Sequence, residues 1–202
     1  MNNTDASLEI LSTHYSETFS LLKSAVEKRD RLFLYILIVI SLLLLYMSAP
    51  SAVSDQLNLF INSQTGNDTN TANLIEVPFI GAILLLGLLS FSHTYFQTVL
   101  HIERQYAYVY QLEEQLCVYF GGKAFVREGN HYKKYKRTFS KWTKGIFWIL
   151  FPLLYIIFII AWLFFLYTTS QVPLIYKIVD TLITASIFAS LSLYLLALFK
   201  KK

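Results

Sequence analysis

The chain has 202 residues, of which 55% are hydrophobic, and its 17 Lys and Arg against 13 Asp and Glu give a net charge of +4. This composition predicts one integral membrane unit with room for a modest cytoplasmic part. The single cysteine, Cys117, excludes a disulfide framework and a cysteine-based zinc site.

Residues 1–31 are predicted to form a cytoplasmic amphipathic helix. Apolar side chains recur at spacings of three, four or seven, at Leu8, Leu11, Tyr15, Leu22 and Val26, and line one face. Nine charged residues precede the first apolar run, so a cleavable signal peptide is not expected. Because no Pro or Gly follows before Leu32, the same helix should continue into the membrane.

Four apolar runs are each close to the ~20 residues that a helix needs to cross a bilayer. The predicted spans are residues 32–48, 77–100, 145–168 and 176–199. Between and after them lie an extracytoplasmic loop at 49–76, a cytoplasmic helix and basic segment at 101–144, an outer turn at 169–175 and a tail at 200–202.

The positive charges lie almost entirely on one side of these spans. Sixteen of the 17 Lys and Arg fall in the segments before the first span, between the second and third, and after the fourth, and only Lys177 falls elsewhere. By the positive-inside rule, both termini and residues 101–144 face the cytoplasm. The expected location is the plasma membrane.

The second span is predicted to extend into the cytoplasm as one helix over Val77–Phe120. Its apolar spacing continues through Ile102, Tyr106, Val109, Leu112 and Leu116, and no helix breaker occurs before Gly121. This extension is long enough to pair antiparallel with the N-terminal helix. The predicted fold is therefore all-α, with four transmembrane helices and a cytoplasmic helical stalk.

The cytoplasmic half of the second span carries a polar stripe. Four residues share one helix face because they follow one another at offsets of 0, 4, 7 and 11: Ser90, Thr94, Gln97 and His101. His93 lies beside them. One interpretation is hydrogen bonding between helices. The other is a water-lined conduit, which requires several copies of the chain around an axis, with a tetramer favoured.

Between Lys123 and Lys144, eight bases accompany a single acid, so this segment has a charge of +7. Contact with anionic lipid is one explanation, and Lys141 and Lys144 favour it. A nucleotide or oligonucleotide ligand is the other, because bases interleaved with aromatic side chains can hold phosphates and stack nucleobases. The candidate ligand residues are Lys123, Arg127, Lys133, Lys134, Lys136 and Arg137.

No catalytic motif is present in the sequence: it has no Gly-rich phosphate loop, nucleophile elbow or His-Glu-x-x-His metal motif. Glu103, Glu113 and Glu114 share a predicted helix with Arg104, where pairing on the surface is expected. We therefore expect neither enzymatic activity nor a metal or organic cofactor.

The segment Tyr106–Tyr132 contains Leu-Glu-Glu at 112–114, Phe-Val-Arg-Glu-Gly at 125–129 and then Tyr132. With the small size, the spans and the helical stalk, it resembles membrane effectors of bacterial anti-phage systems of the cyclic-nucleotide, retron and Hailong types. The resemblance covers under a seventh of the chain. It implies a homo-oligomer that permeabilises the inner membrane when a nucleotide or nucleic-acid signal changes, causing abortive infection.

The leading hypothesis is thus a pore-forming effector gated by a cytoplasmic ligand. The alternative is a non-conducting adaptor whose stalk binds a cytoplasmic protein, such as one encoded in the same operon. A small transporter is the third interpretation, although the chain lacks the internal repeat and paired broken helices that such folds often have.

Overall fold

A computed structural model describes residues 3–65, 77–119, 142, 149–169 and 172–200. This part of the chain is helical and contains no strand. Its helices are α1 (Asn3–Ser48), α2 (Pro50–Thr65), α3 (Val77–Tyr119), α4 (Phe151–Thr168) and α5 (Leu174–Phe199).

Helix α1 is 46 residues long, or about 69 Å at 1.5 Å per residue. The amphipathic N-terminal stretch and the first apolar run therefore belong to one helix, because no Pro or Gly interrupts them. The helix ends at Ser48, whose Oγ donates to the Leu44 carbonyl oxygen at 2.7 Å. Pro50 follows, at the first-turn position where the missing N–H of proline costs nothing.

Helix α2 corrects the prediction of a loop over 49–76, since residues 50–65 are helical and 66–76 lie outside the described residues. The polar composition suggested irregular structure, yet no Pro or Gly occurs between 51 and 65. Ser54 and Asn58, four residues apart, are both buried. Tertiary packing of one face has outweighed the weak helix propensity of Ser and Asn.

Helix α3 has 43 residues, Val77–Tyr119, and the predicted last residue, Phe120, lies outside the described residues. Helix α4 matches the later part of the predicted third span, whose first residues, 145–148, lie outside the described part of the chain. Helix α5 begins two residues before the predicted 176 because Pro173 starts it, its carbonyl oxygen accepting from the Tyr176 N–H at 3.1 Å.

The chain divides into two compact units. Unit 1 comprises Met1–Arg31 and Gln97–Pro152, and unit 2 comprises Leu32–Phe96 and Leu153–Lys202. Helices α1 and α3 each contribute to both units.

Unit 2 contains most of the apolar sequence, and its helices are apolar on the inside and on the outside. Tyr155, Trp162 and Ile187 are buried, whereas Ile160 and Phe164 are 61% and 71% exposed. Large apolar side chains outside a bundle are typical of a surface in contact with lipid. Within the described residues, four helices are long and apolar enough to cross a membrane, which supports a multi-pass, all-α membrane protein.

In unit 1 the beginning of α1 packs against the end of α3. Leu22, Ile102 and Val109 form a buried cluster, and Tyr15 and Tyr106 pack against it. These side chains belong to the two apolar stripes that the sequence pattern identified. The stripes meet because each leaves an apolar face that water would otherwise hydrate.

Candidate functional site

The polar stripe of α3 lies on the outside of the single chain. Ser90 and His93 in unit 2 are exposed, as are Gln97 and His101 further along the same helix, and Thr94 is half-buried. All five predicted pore-lining residues therefore belong to one continuous helix, and none is buried.

The same face of α3 is apolar towards its N-terminus. From that end, the exposed side chains follow one another at spacings of three or four: Phe79, Ile83, Leu86, Ser90, His93, Gln97 and His101. The face therefore changes from apolar to polar between Leu86 and Ser90. We call this row of side chains the outer face of α3.

Hydrogen bonding between helices accounts for part of the polar character of α3. Ser92, directly beside the outer face, is 1% exposed and lies 2.5 Å (Oγ to OH) from Tyr155 of α4. Its Oγ also donates to the Leu88 carbonyl oxygen. Ser92 thus joins two helices inside unit 2, as the first interpretation of the stripe expects.

Two residues of the polar stripe, Thr94 and His93, have polar contacts within unit 2. Thr94 Oγ1 donates to the Ser90 carbonyl oxygen at 2.9 Å, so this hydroxyl proton is satisfied by its own helix. His93 Nδ1 lies 3.4 Å from Ser190 Oγ on α5. The imidazole thus contacts a neighbouring helix through one nitrogen and remains exposed.

The predicted ligand residues, Lys123, Arg127, Lys133, Lys134, Lys136 and Arg137, lie outside the described residues. Between the end of α3 and residue 149 only Trp142 is described, and its side chain is 66% exposed. A ligand site at this segment therefore stays a prediction. Among the described residues, no three His, Cys, Asp or Glu side chains come together as metal ligands would.

Glu113 departs from the expected pairing on the surface of α3. Its side chain is 4% exposed in unit 1, where Oε1 accepts a hydrogen bond from the Tyr15 hydroxyl at 3.2 Å. Nearby, His14 Nε2 and the Tyr108 hydroxyl lie 2.8 Å apart. Helices α1 and α3 are thus joined by polar contacts as well as apolar ones. The sequence pattern assigned Tyr15 to the apolar stripe because of its ring. In the structure its hydroxyl also donates a hydrogen bond to Glu113.

Asp180 is a functional candidate that the sequence patterns did not single out. It lies on α5 inside an apolar run, and its side chain is 3% exposed. Its Oδ1 is buried and has no hydrogen-bond partner among the described residues. An acid inside a predicted span could have drawn attention, since ionisable groups in membrane segments are rare and usually functional.

Comparison of the chain with protein-family models, with curated proteins and with solved structures found no match.

Proposed function

We propose that this chain is one subunit of a homo-oligomeric pore in the bacterial inner membrane, lined by the outer face of α3. The observation that carries the proposal is the exposure of Ser90, His93 and Gln97 on a helix of a protein whose exterior is otherwise rich in Leu, Ile and Phe.

The physical argument is the cost of polar groups in hydrocarbon. Polar side chains within membrane spans usually face the interior of a bundle or a water-filled cavity instead of lipid. Copies of the chain arranged around an axis would remove the outer face from lipid, and cyclic symmetry would leave an axial space. Four copies are favoured over two because two helices facing each other enclose too little space for water.

The outer face would then provide two zones along the conduit. Ser90, His93 and Gln97 would contact water, whereas Phe79, Ile83 and Leu86 would form apolar rings. Apolar constrictions close channels by excluding water. The change in polarity between Leu86 and Ser90 therefore supports a gated pore over a permanently open one.

Gating is assigned to the basic segment, with a nucleotide or nucleic acid as the ligand. The charge of +7 between Lys123 and Lys144 supports this choice, and the charge asymmetry around the spans supports a cytoplasmic position for the segment and for the helical stalk in unit 1. A role in abortive infection during anti-phage defence rests on the resemblance described above.

The test replaces Gln97 with Leu, which removes a polar group from the outer face while keeping its approximate size and helix propensity. Membrane leak is followed with a potential-sensitive dye in bacteria expressing the protein. The mass of the particle is measured in nanodiscs. We expect leak to fall several-fold while expression and subunit number stay unchanged.

Gln111→Leu is the matched control, since Gln111 is also exposed on α3 but lies beyond the apolar run. It should leave leak unchanged. If the Gln97→Leu oligomer is intact and the leak is undiminished, the outer face of α3 does not line the conduit. Loss of the oligomer would instead make Gln97 a contact between subunits, and a wild-type particle containing one chain would end the pore proposal.

The adaptor alternative is favoured by a different observation. Ile10, Leu21 and Val118 in unit 1 are 71%, 65% and 79% exposed, which is unusual for large apolar side chains outside a membrane. A cytoplasmic partner protein could cover them. An adaptor would give no leak in the wild type, and substituting these three side chains with Ser would abolish binding of the partner.

A further inference from the structure

A buried carboxyl group lies in unit 2 and takes no part in the proposed conduit. Asp180 is the only buried aspartate among the residues whose side chains are described; Asp30 and Asp55 are exposed. The Thr184 hydroxyl, one turn later, donates to the main-chain oxygen of Asp180 at 2.7 Å and so serves the backbone. The carboxyl group itself is left with an unpartnered Oδ1.

Tyr46 of α1 lies near Asp180, and two further helices pack around Tyr46. The Tyr46 ring packs against Trp162 and Phe165 of α4, with ring centroids 6.1 and 6.0 Å apart. Helix α3 approaches so closely at Gly81 that an added Cβ would lie 3.1 Å from both Tyr46 and Trp162. The 3% exposure of Asp180 leaves little contact between its side chain and water.

No cation neutralises the carboxyl group within the part of the chain that the structure describes. Lys177 lies one turn earlier on α5 and is half-buried, but it forms no ion pair with Asp180. Tyr46 of α1 is a titratable neighbour of Asp180 and carries no positive charge in either protonation state. The Trp162 indole N–H is also buried without a hydrogen-bond partner.

We infer that Asp180 is a proton-binding site, occupied by a proton when unit 2 is packed. An ionised carboxylate without a cation or hydrogen-bond donors is several kcal/mol less stable inside a protein than in water, whereas the neutral acid avoids most of that cost. A divalent metal ion fits the site poorly. Calcium, for example, takes six to eight oxygen ligands, and here the Thr184 hydroxyl is already engaged.

Release of the proton transfers it to water and leaves a carboxylate that must be hydrated. Hydration requires the packing that buries Asp180 to loosen. Proton release and loosening of this packing are therefore linked, and each favours the other. This inference stands apart from the pore proposal, because it concerns the interior of a single chain.

Linkage gives the sign of the pH dependence. An exposed aspartate titrates at pH ~3.9. Above that pH the unfolded chain has lost this proton whereas the packed protein retains it, so the packed protein binds one proton more. The stability contributed by the bound proton is complete below that pH and is lost as the pH rises. The wild-type unfolding temperature should thus fall between about pH 4 and about pH 8.

The experiment measures thermal unfolding of the full chain in nanodiscs across this pH range, in wild type and in Asp180→Asn. Because the amide of this variant cannot ionise, the unfolding temperature of Asp180→Asn should fall less with rising pH than that of the wild type. Asp55→Asn, at an exposed position on α2, is the matched control and should keep the wild-type slope. Equal slopes in wild type and Asp180→Asn would overturn the inference.

Infrared spectroscopy provides a readout that does not need the variant to fold. Wild-type protein labelled with carbon-13 aspartate should show, at neutral pH, the carbonyl band of a protonated carboxylic acid, shifted by the label. Labelling aspartate separates Asp180 from the buried Glu113. Absence of a label-sensitive acid band at neutral pH would show that Asp180 is ionised and would also overturn the inference.

Discussion

At the scale of single residues, α3 packs closely against neighbouring aromatic rings at Gly81. An added Cβ at this position would lie 3.1 Å from the Trp162 and Tyr46 rings. Gly87, six residues later on α3, has nothing within 4 Å of the corresponding position. The two glycines thus have different roles: one permits close approach of helices, and the other borders open space.

Gly81→Leu should therefore destabilise the protein by about 1–3 kcal/mol, the usual cost of overpacking a close contact. The same substitution at Gly87 should change stability by no more than about 0.5 kcal/mol. The measurement is denaturant unfolding of purified protein in detergent micelles. If both variants unfold at the same denaturant concentration as the wild type, α3 does not approach Tyr46 and Trp162 closely at Gly81.

Two serines of α3 that are close in sequence also differ in their exposure. Ser92 is buried against Tyr155, while Ser90, two residues earlier, is exposed. Only the position of α4, whose Tyr155 hydroxyl contacts Ser92, decides which of the two hydroxyls lies inside the bundle, because the two serines are equally polar in sequence.

At the scale of elements, the outer face of α3 contains both zones of the proposed conduit. Leu86 is 55% exposed and is the last apolar side chain before the polar part begins. If rings of Leu86 exclude water in a closed pore, a smaller and more polar side chain should admit it.

Leu86→Ser should accordingly raise leak several-fold without any change in ligand or signal. Leu182→Ser is the matched control, since Leu182 is 63% exposed on a different helix, α5. It should leave leak at the wild-type level. Both variants are compared with the potential-sensitive dye at equal expression. A rise in both would indicate damage to the bundle rather than an apolar gate.

At the scale of the whole molecule, charge is distributed very unevenly along the chain. The net charge of +4 conceals a segment of +7 between residues 123 and 144. Binding of a polyanion to such a segment gains free energy from release of counterions, and the affinity must then fall steeply with salt. If the segment only anchored the chain to anionic lipid, no nucleotide or oligonucleotide would be expected to co-purify with the protein.

Changing Arg127, Lys133 and Lys134 to Gln should weaken binding of a fluorescent single-stranded oligonucleotide. The slope of log affinity against log salt should decrease by about 0.7 for each phosphate that the variant no longer neutralises. Insertion should persist because Lys141 and Lys144 remain next to the third span.

The matched control for this prediction removes three exposed bases of unit 1, by changing Lys23, Lys28 and Arg104 to Gln. It should retain both the affinity and the salt slope. Equal weakening in the two triple variants would indicate attraction to total charge instead of a site. Wild-type protein without affinity for the oligonucleotide or for a cyclic dinucleotide would favour the adaptor.

The sequence by itself determined the features that depend on local composition. Four helices capable of spanning a membrane follow from apolar runs, and the continuity of α1 and α3 follows from the absence of Pro and Gly within most of their length. The contact between Leu22 and the Ile102–Val109 region of α3 was also predictable, since polar and apolar residues alternate there with helical spacing.

Only the tertiary structure decided which side of each membrane helix lies inside. In a span such as α4, apolar side chains cover the whole circumference, so the pattern contains no contrast from which to identify the buried face. The burial of Asp180, the burial of Ser92 and the helical state of α2 all depend on neighbouring helices. Their physical cause is packing between segments far apart in the chain, which hydrophobic periodicity does not specify.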